Sequence, residues 1–221
     1  MLTLALGIGG CVAMFALTDA VLLRPLRFPA AQDLVTLWDR GPGQQTDNVG
    51  WATLADWRER STSFTGMAAM SLWMPTATGG GDAELLEGMR VSDGFFQLLG
   101  IRPALGRFFT PAEDVRGNHH VAVLSYGLWQ RRFGGDPAVL GRSVHLDGID
   151  YAVVGVLPAD LEPIFGTTRR PLAEIWAPLA YNASLPYACR DCRHLRVVAR
   201  LRPGTTLAAA RAELDGVAVA R

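Results

Sequence analysis

The chain has 221 residues, of which 49% are hydrophobic, and its 21 basic and 21 acidic side chains leave a formal net charge of zero. Because nucleic-acid-binding surfaces carry a basic excess, this balance argues against a nucleic-acid partner. The 24 glycines and 13 prolines are many for a helical bundle and favour a turn-rich α+β fold of one domain or two small lobes.

Residues 1–23 form an apolar segment in which Asp19 is the only charged side chain before Arg24. A hydrocarbon core of about 30 Å needs about 20 apolar residues in a helix, so the segment is predicted to span a membrane. A signal peptide and a buried core helix are the alternatives, but the basic residues of a signal peptide precede its apolar run. Here Arg24 and Arg27 follow it, and the positive-inside rule alone would place the rest of the chain in the cytoplasm.

Local patterns then predict mixed strands and helices along the chain. Helices are indicated at 51–60, at 93–99 with Ser92 as N-cap, after Ser125, and after Thr205 or Thr206. A polar loop is expected at 40–48, and Asp147-Gly148 predicts a hairpin turn. Predicted strands cover residues 33–38, 63–78, 85–91, 121–124, 143–146, 151–154, 175–177 and 194–201. Strands and helices without strict alternation indicate the α+β class.

Ser125 is the one candidate nucleophile that the sequence suggests, because it lies at a predicted strand-to-helix turn. A nucleophile elbow needs a small residue on both sides of the serine, and Val123 occupies one of these positions. A helix cap explains Ser125 more simply. A membrane-tethered hydrolase would also need a histidine, His119, His120 or His145, within hydrogen-bond reach of it. We therefore predict no catalytic residue and no cofactor.

The cysteines leave two readings open. Cys11 lies in the apolar segment, whereas Cys189 and Cys192 form a C-x-x-C motif with His194 close behind. Half of a zinc site would need a second ligand pair, and none is spaced for it, so no metal site is predicted. A local disulfide and two free thiols remain as alternatives.

Several charged or polar clusters are best interpreted as solvated surface without partners. Asn182-Ala183-Ser184 also matches a glycosylation sequon, although so short a motif often arises by chance. These clusters are Glu113-Asp114 and the group Asp82, Glu84 and Glu87, whereas Arg131-Arg132 is interpreted as the solvated face of a short helix.

A series of segments resembles bacterial MacB/FtsX-like ABC transporter permeases, in order and over nearly the whole chain. The apolar segment and its exit, Leu22-Leu23-Arg24-Pro25-Leu26, are similar to the family's first membrane helix. Each motif is weak by itself, but the series is specific. The other matching segments are Asp56-Trp57-Arg58, Val91-Ser92, Phe95-Phe96, residues 99–109, residues 123–129, residues 132–136, Leu140-Gly141-Arg142, Leu146-Asp147-Gly148, residues 153–158, residues 198–204 and Ala212-Glu213-Leu214.

The resemblance implies a membrane helix at 1–23 followed by a periplasmic core domain at 24–221. That domain would have one lobe from about 33–91 plus 193–221 and an inserted lobe from about 92–192. The resemblance places the domain outside the inner membrane, against the charge rule, and favours the Cys189–Cys192 disulfide.

Permeases of this family transmit mechanical motion rather than catalyse a reaction. The expected partners are an ABC ATPase, a second permease, a periplasmic adaptor and the lipid bilayer. Later membrane helices and an ATPase domain are absent, so the chain is expected to be part of a longer permease. The alternative is a stand-alone membrane-anchored module that binds a ligand or a protein.

Overall fold

The computed structural model describes residues 28–40, 45–79, 82–161 and 173–219. The predicted membrane helix at 1–23 lies outside these ranges. Within them, none of the helices combines the length and the apolar character needed to cross a bilayer.

The described chain contains strands, four α-helices and short 3-10 turns. The helices are α1 (Trp51–Arg60), α2 (Phe95–Leu98), α3 (Tyr126–Phe133) and α4 (Leu207–Val219). The strands are β1 (Leu34–Leu37), β2 (Asp39–Arg40), β3 (Thr46–Asp47), β4 (Phe64–Trp73), β5 (Thr76–Thr78), β6 (Glu84–Leu85), β7 (Gly88–Val91), β8 (Leu105–Gly106), β9 (Val121–Leu124), β10 (Ser143–Leu146), β11 (Ile149–Val156), β12 (Ile175–Pro178) and β13 (Arg196–Leu201).

One 11-stranded mixed sheet organises the domain, in the order β1-β13-β4-β7-β12-β9-β11-β10-β5-β6, with β8 added to β11. Two neighbouring pairs are parallel, β7 with β12 and β9 with β11. The other ladders along this path are antiparallel. Strands β2 and β3 form a separate two-stranded hairpin.

Alternate residues of the central strands fill different cores, because successive side chains of a strand point to opposite faces. On one face, Met70, Val198 and Trp176 pack with the aromatic rings that α2 and the following loop supply. On the other face, α1 and α4 cover the end of the sheet near β1 and β13. Helix α3 packs with β9, β10 and β11 toward the other end. Helices thus cover both faces of the sheet.

The α+β class is confirmed, as are most of the predicted elements. Helix α1 has the predicted bounds, and Asp147 and Gly148 both have positive φ, as the hairpin turn requires. Three predictions are wrong in detail. The strand at 85–91 is divided between β6 and β7, which lie at different places in the sheet. The strand at 63–78 is divided into β4 and β5, and the polar loop at 40–48 contributes the hairpin β2–β3 at its described ends. The division into two lobes stays a prediction.

Candidate functional site

Ser125 is a helix cap in the structure. Its hydroxyl accepts a hydrogen bond from the backbone N–H of Leu128 at 3.0 Å, at the start of α3. This bond satisfies one of the N–H groups that a helix leaves unpaired at its N-terminus. Within the described residues, Ser125 shares no hydrogen bond with any of the three histidines that a hydrolase would require. The geometry therefore matches the capping role.

The histidines lie in two separate places. The His119 and His120 rings are in contact in a tilted arrangement, with centroids 4.5 Å apart, and His120 also contacts the ring of Tyr151. Burial, and then the nearby charges of His120, Arg90 and Arg116, lower the pKa of His119 to about 4. His145 lies on the β10–β11 hairpin, where its Nδ1 is 2.9 Å from Asp150. The structure does not bring these groups together around a shared reactive position.

The acidic group at Glu84 was wrongly predicted to lack partners. Glu84 lies 2.6 Å from Arg131 and 3.1 Å from Arg132, and Arg131 also contacts Glu174 at 2.7 Å. These ion pairs join α3 to β6 and to the segment before β12. The prediction failed because the partners are more than 40 residues apart in sequence and meet only after the sheet forms.

The second acidic cluster, Glu113-Asp114, also has partners. Glu113 accepts a two-fold hydrogen bond from Arg107, at 2.7 and 2.8 Å, and completes a capping box with Thr110. This pairing with Arg107, together with bonds from Thr110, outweighs burial and lowers the pKa of Glu113 to about 2. The cluster is therefore structural rather than simply solvated.

Cys189 and Cys192 form a disulfide in the structure, with their Cα atoms 5.2 Å apart. Among the described residues, no group of three or more His, Cys, Asp or Glu side chains is arranged to hold a metal ion. His194 instead donates from Nδ1 to the Cys192 carbonyl at 2.7 Å, and its Nε2 lies 2.8 Å from the Tyr181 hydroxyl. Of the two alternatives left open by the sequence, the structure shows the disulfide.

The disulfide loop packs against the start of α1. Arg190 forms an ion pair with Asp56 at 2.8 Å, and Val49 and Leu195 exchange two backbone hydrogen bonds of 2.8 and 3.1 Å. A Cβ atom on Gly50 would lie only 2.6 Å from the Arg190 carbonyl carbon. Only glycine fits at this contact, because any side chain would keep the loop and the helix from approaching so closely.

A cluster around Arg90 joins strands on one face of the sheet. It lies between the end that α1 and α4 cover and the end that α3 covers. The Arg90 guanidinium donates to the Tyr151 hydroxyl at 2.9 Å and to the Pro178 carbonyl at 3.2 Å. Its central carbon also lies 4.3 Å from the centre of the Trp73 ring, within cation–π range. The arrangement satisfies the guanidinium and holds β4, β7, β11 and β12 together.

A second polar network lies where β7 and β12 leave the sheet. The Asp114 carboxylate accepts the backbone N–H of Asp93 at 2.7 Å and that of Ala180 at 2.6 Å. Arg58 donates to the Ser92 hydroxyl at 3.0 Å, and that hydroxyl also accepts from the Ala69 N–H at 2.9 Å. The prediction that Ser92 caps α2 is therefore wrong, because its side chain is used by partners remote in sequence. A motif search could not have found this network.

Comparisons with known proteins agree with this architecture. The family model of the MacB-like periplasmic core domain matches residues 1–217. The chain is 30% identical over 131 residues to "Macrolide export ATP-binding/permease protein MacB" of Burkholderia thailandensis. It is 29% identical over 131 residues to the protein of the same name from Burkholderia pseudomallei. Each match covers 59% of this chain, and the chain spans about a fifth, 19%, of the length of each relative.

Solved structures show the same fold at low sequence identity. The periplasmic region of MacB from Actinobacillus actinomycetemcomitans aligns with a TM-score of 0.63 at 13% identity, covering 85% of this chain and 83% of that one. The extracellular domain of the noncanonic ABC-type transporter YknZ from Gram-positive bacteria aligns with a TM-score of 0.59 at 13% identity, covering 83% and 94%. The chain thus belongs to the MacB-like periplasmic core domain family of ABC transporter permeases.

Proposed function

We propose that the chain is the first membrane helix and the extracytoplasmic domain of an ABC transporter permease of the mechanotransmission type. In this proposal residues 1–23 cross the inner membrane once and residues 24–221 lie outside it. The domain has no catalytic activity of its own and forms part of a longer permease. The observation that carries the proposal is family membership along residues 1–217, which includes the apolar segment.

The sheet supports a mechanical role for this domain. Ten of its 11 strands form one continuous hydrogen-bonded path, β8 pairs with β11 beside it, and all three core clusters pack against this sheet. Because packed cores resist continuous deformation, a displacement applied at one end of such a sheet is passed to the other as a rigid-body movement. The proposed lobes, 33–91 plus 193–221 and 92–192, would move together as parts of this body, because β7 of one lobe pairs with β12 of the other.

The partners follow from the same proposal. An ABC ATPase subunit or domain would drive the movement, and a second permease would provide the opposing outer domain. A periplasmic adaptor and the lipid bilayer complete the expected set, and the neutral net charge offers no support for a nucleic-acid partner. The relatives named as ATP-binding/permease proteins, which are about five times longer than the matched part, support the ATPase partner.

A reporter fusion tests the membrane arrangement. Alkaline phosphatase, which is active only outside the cytoplasm, is joined after Arg221 in an Escherichia-type host. We expect an active, membrane-bound fusion, and an inactive one when Met14→Arg is introduced, because a central arginine costs about 2.5–3.5 kcal/mol on insertion. Leu207→Arg is the matched control, since Leu207 is 64% exposed and the substitution should leave the fusion active.

Two results would contradict the proposal. An inactive wild-type fusion would place the domain in the cytoplasm. A fusion that stays active and membrane-bound without residues 1–23 would remove the anchoring role of the apolar segment. If the chain alone instead bound a small ligand tightly, with no dependence on an ATPase, the stand-alone binding module would become the better account.

A further inference from the structure

The Asp114 carboxylate joins two segments that are 87 residues apart. Asp93 follows β7 after one intervening residue, and Ala180 follows β12 in the same way. Strands β7 and β12 are parallel neighbours, and Val91 is paired with Pro178 at their ends. The two chains therefore leave the sheet side by side and then separate, one toward α2 and the other toward the disulfide loop.

Asp114 reaches both segments from a third part of the chain. Its two oxygens accept the Asp93 and Ala180 N–H groups at 2.7 and 2.6 Å, which are short distances typical of charge-assisted bonds. The 3-10 turn Pro111–Glu113 precedes it and is held by the capping box and by Arg107. Asp114 is therefore presented by a local structure that is itself fixed.

Charges and buried groups around Asp114 complete the network. The Arg58 guanidinium faces Asp114 and Asp93, and it is bonded to the Met67 carbonyl and to Ser92, which is 1% exposed. Ala180 adopts φ of 52°, a left-handed conformation that costs a non-glycine residue energy and persists only where the surroundings hold it. The hydrogen bond that the Ala180 N–H donates to Asp114 is one of the contacts that hold it.

We propose that Asp114, with the Asp93 and Ala180 amides, is a latch that fastens the two connections of the inserted lobe and fixes that lobe's orientation. The orientation part of this proposal rests on the two-lobed division proposed above, because residues 92–93 are then the entry to the inserted lobe and Ala180 begins the segment that leads from β12 to its exit at 192–193. Loss of this one carboxylate would release the Asp93 and Ala180 amides at once, while the backbone bonds of Ser92 to Ala69 and of Leu179 to Val91 remain.

Amide hydrogen exchange of the full chain in detergent micelles tests the latch. In Asp114→Asn we expect exchange at the Asp93 and Ala180 amides to rise by about 10- to 100-fold, the effect of losing a bond to a charged group. Asp136→Asn is the matched control, because Asp136 also accepts a backbone N–H, that of Ala138 at 2.9 Å, but in a different 3-10 turn. Unchanged exchange at both amides in Asp114→Asn would overturn the latch.

A second measurement tests the orientation of the lobes separately from the hydrogen bonds of the latch. Spin labels at the exposed positions Leu207 and Ile149, one in each proposed lobe, report the distance between them. We expect Asp114→Asn to broaden the distance distribution while Asp136→Asn leaves it unchanged. Faster amide exchange with an unchanged distance distribution would overturn the role of the latch in lobe orientation, and the two-lobed division would stand independently of it, because the β7–β12 ladder also joins the lobes.

A measurement on the wild-type chain covers the case in which Asp114→Asn fails to fold. Burial raises the pKa of the Asp114 carboxyl above its ordinary value, and the charged groups facing it are Asp93 and Arg58. The Asp93 and Ala180 amide proton resonances should then shift together with a common midpoint as the pH falls. Two unrelated midpoints, or no shift at either amide, would overturn the latch.

Discussion

Gly50→Ala should destabilise the domain through a steric conflict with the disulfide loop. Gly50 has φ of −79° and ψ of 150°, which alanine adopts easily, so the backbone itself carries no penalty. The added Cβ would lie 2.6 Å from the Arg190 carbonyl carbon, 2.9 Å from the Cys189 oxygen and closer still to the Arg190 oxygen. Carbon atoms normally approach to about 3.5–4.0 Å, so the loop or the start of α1 must move by about 1 Å.

The expected penalty is about 2–4 kcal/mol in the free energy of unfolding. Overpacking of this kind costs about 1–3 kcal/mol. The movement also strains the two hydrogen bonds between Val49 and Leu195, each of which contributes about 0.5–1.5 kcal/mol. The Cys189–Cys192 bridge encloses the contacting carbonyls and limits the loop's ability to adjust. Urea unfolding followed by tryptophan fluorescence measures the change, with Trp51 next to the substituted residue.

Gly127→Ala is the matched control for this prediction. Gly127 lies in α3, and a Cβ there would have Ser125 Oγ as its nearest neighbour at 4.0 Å. Alanine in a helix is favoured over glycine by about 0.5–1 kcal/mol, so this variant should be equally or more stable than wild type. If the free energy of unfolding of Gly50→Ala were within about 0.5 kcal/mol of the wild-type value, the close approach of the loop to α1 would be refuted.

Three further predictions concern single interactions. Glu113→Gln should cost about 1 kcal/mol at pH 7, a value reduced for the exposure of Arg107. Because the Glu113 pKa is lowered to about 2, its contribution is complete above about pH 4.5 and is lost as the pH falls through 2, so a difference between the unfolding curves that does not shrink between pH 4.5 and pH 2 would contradict this assignment. Replacing Cys189 and Cys192 by serine opens a ring with a sequence separation of 3 and should lower the free energy of unfolding by about 2 kcal/mol. In reductant the serine variant and the wild type should be equally stable. A further loss of stability of the serine variant in reductant would refute the assignment. Ser125→Ala should cost about 1 kcal/mol by loss of the α3 cap while Ser125→Thr keeps most of the stability, and equal losses in both variants would argue against a capping role.

Features that depend on neighbouring residues could be predicted from the sequence. The Asp147-Gly148 turn, the Ser125 cap and the bounds of α1 follow from local backbone preferences, and the structure shows each of them. The hairpin β2–β3 was missed because Asp39-Arg40 and Thr46-Asp47 lack the apolar alternation that marks a strand.

Features that depend on tertiary contacts could not be predicted. Ser92 precedes a helix, as a cap does, but its hydroxyl bonds Arg58 and Ala69 from other elements. Glu84 and its arginines meet only because β6 and α3 are neighbours in the folded chain. The hydrogen bonds of Asp114 likewise join distant segments. The family itself could be inferred early because many weak motifs occur in the same order, which no single interaction would reveal.

The central claim, that the domain lies outside the inner membrane, is tested most directly by labelling from the outside. In a Cys11→Ser background, Leu72→Cys places a thiol at a position that is 71% exposed, while Cys189 and Cys192 are held in their disulfide. We expect a membrane-impermeant maleimide to label this thiol in intact spheroplasts as fully as in lysed ones. Labelling that occurs only after lysis would contradict the claim.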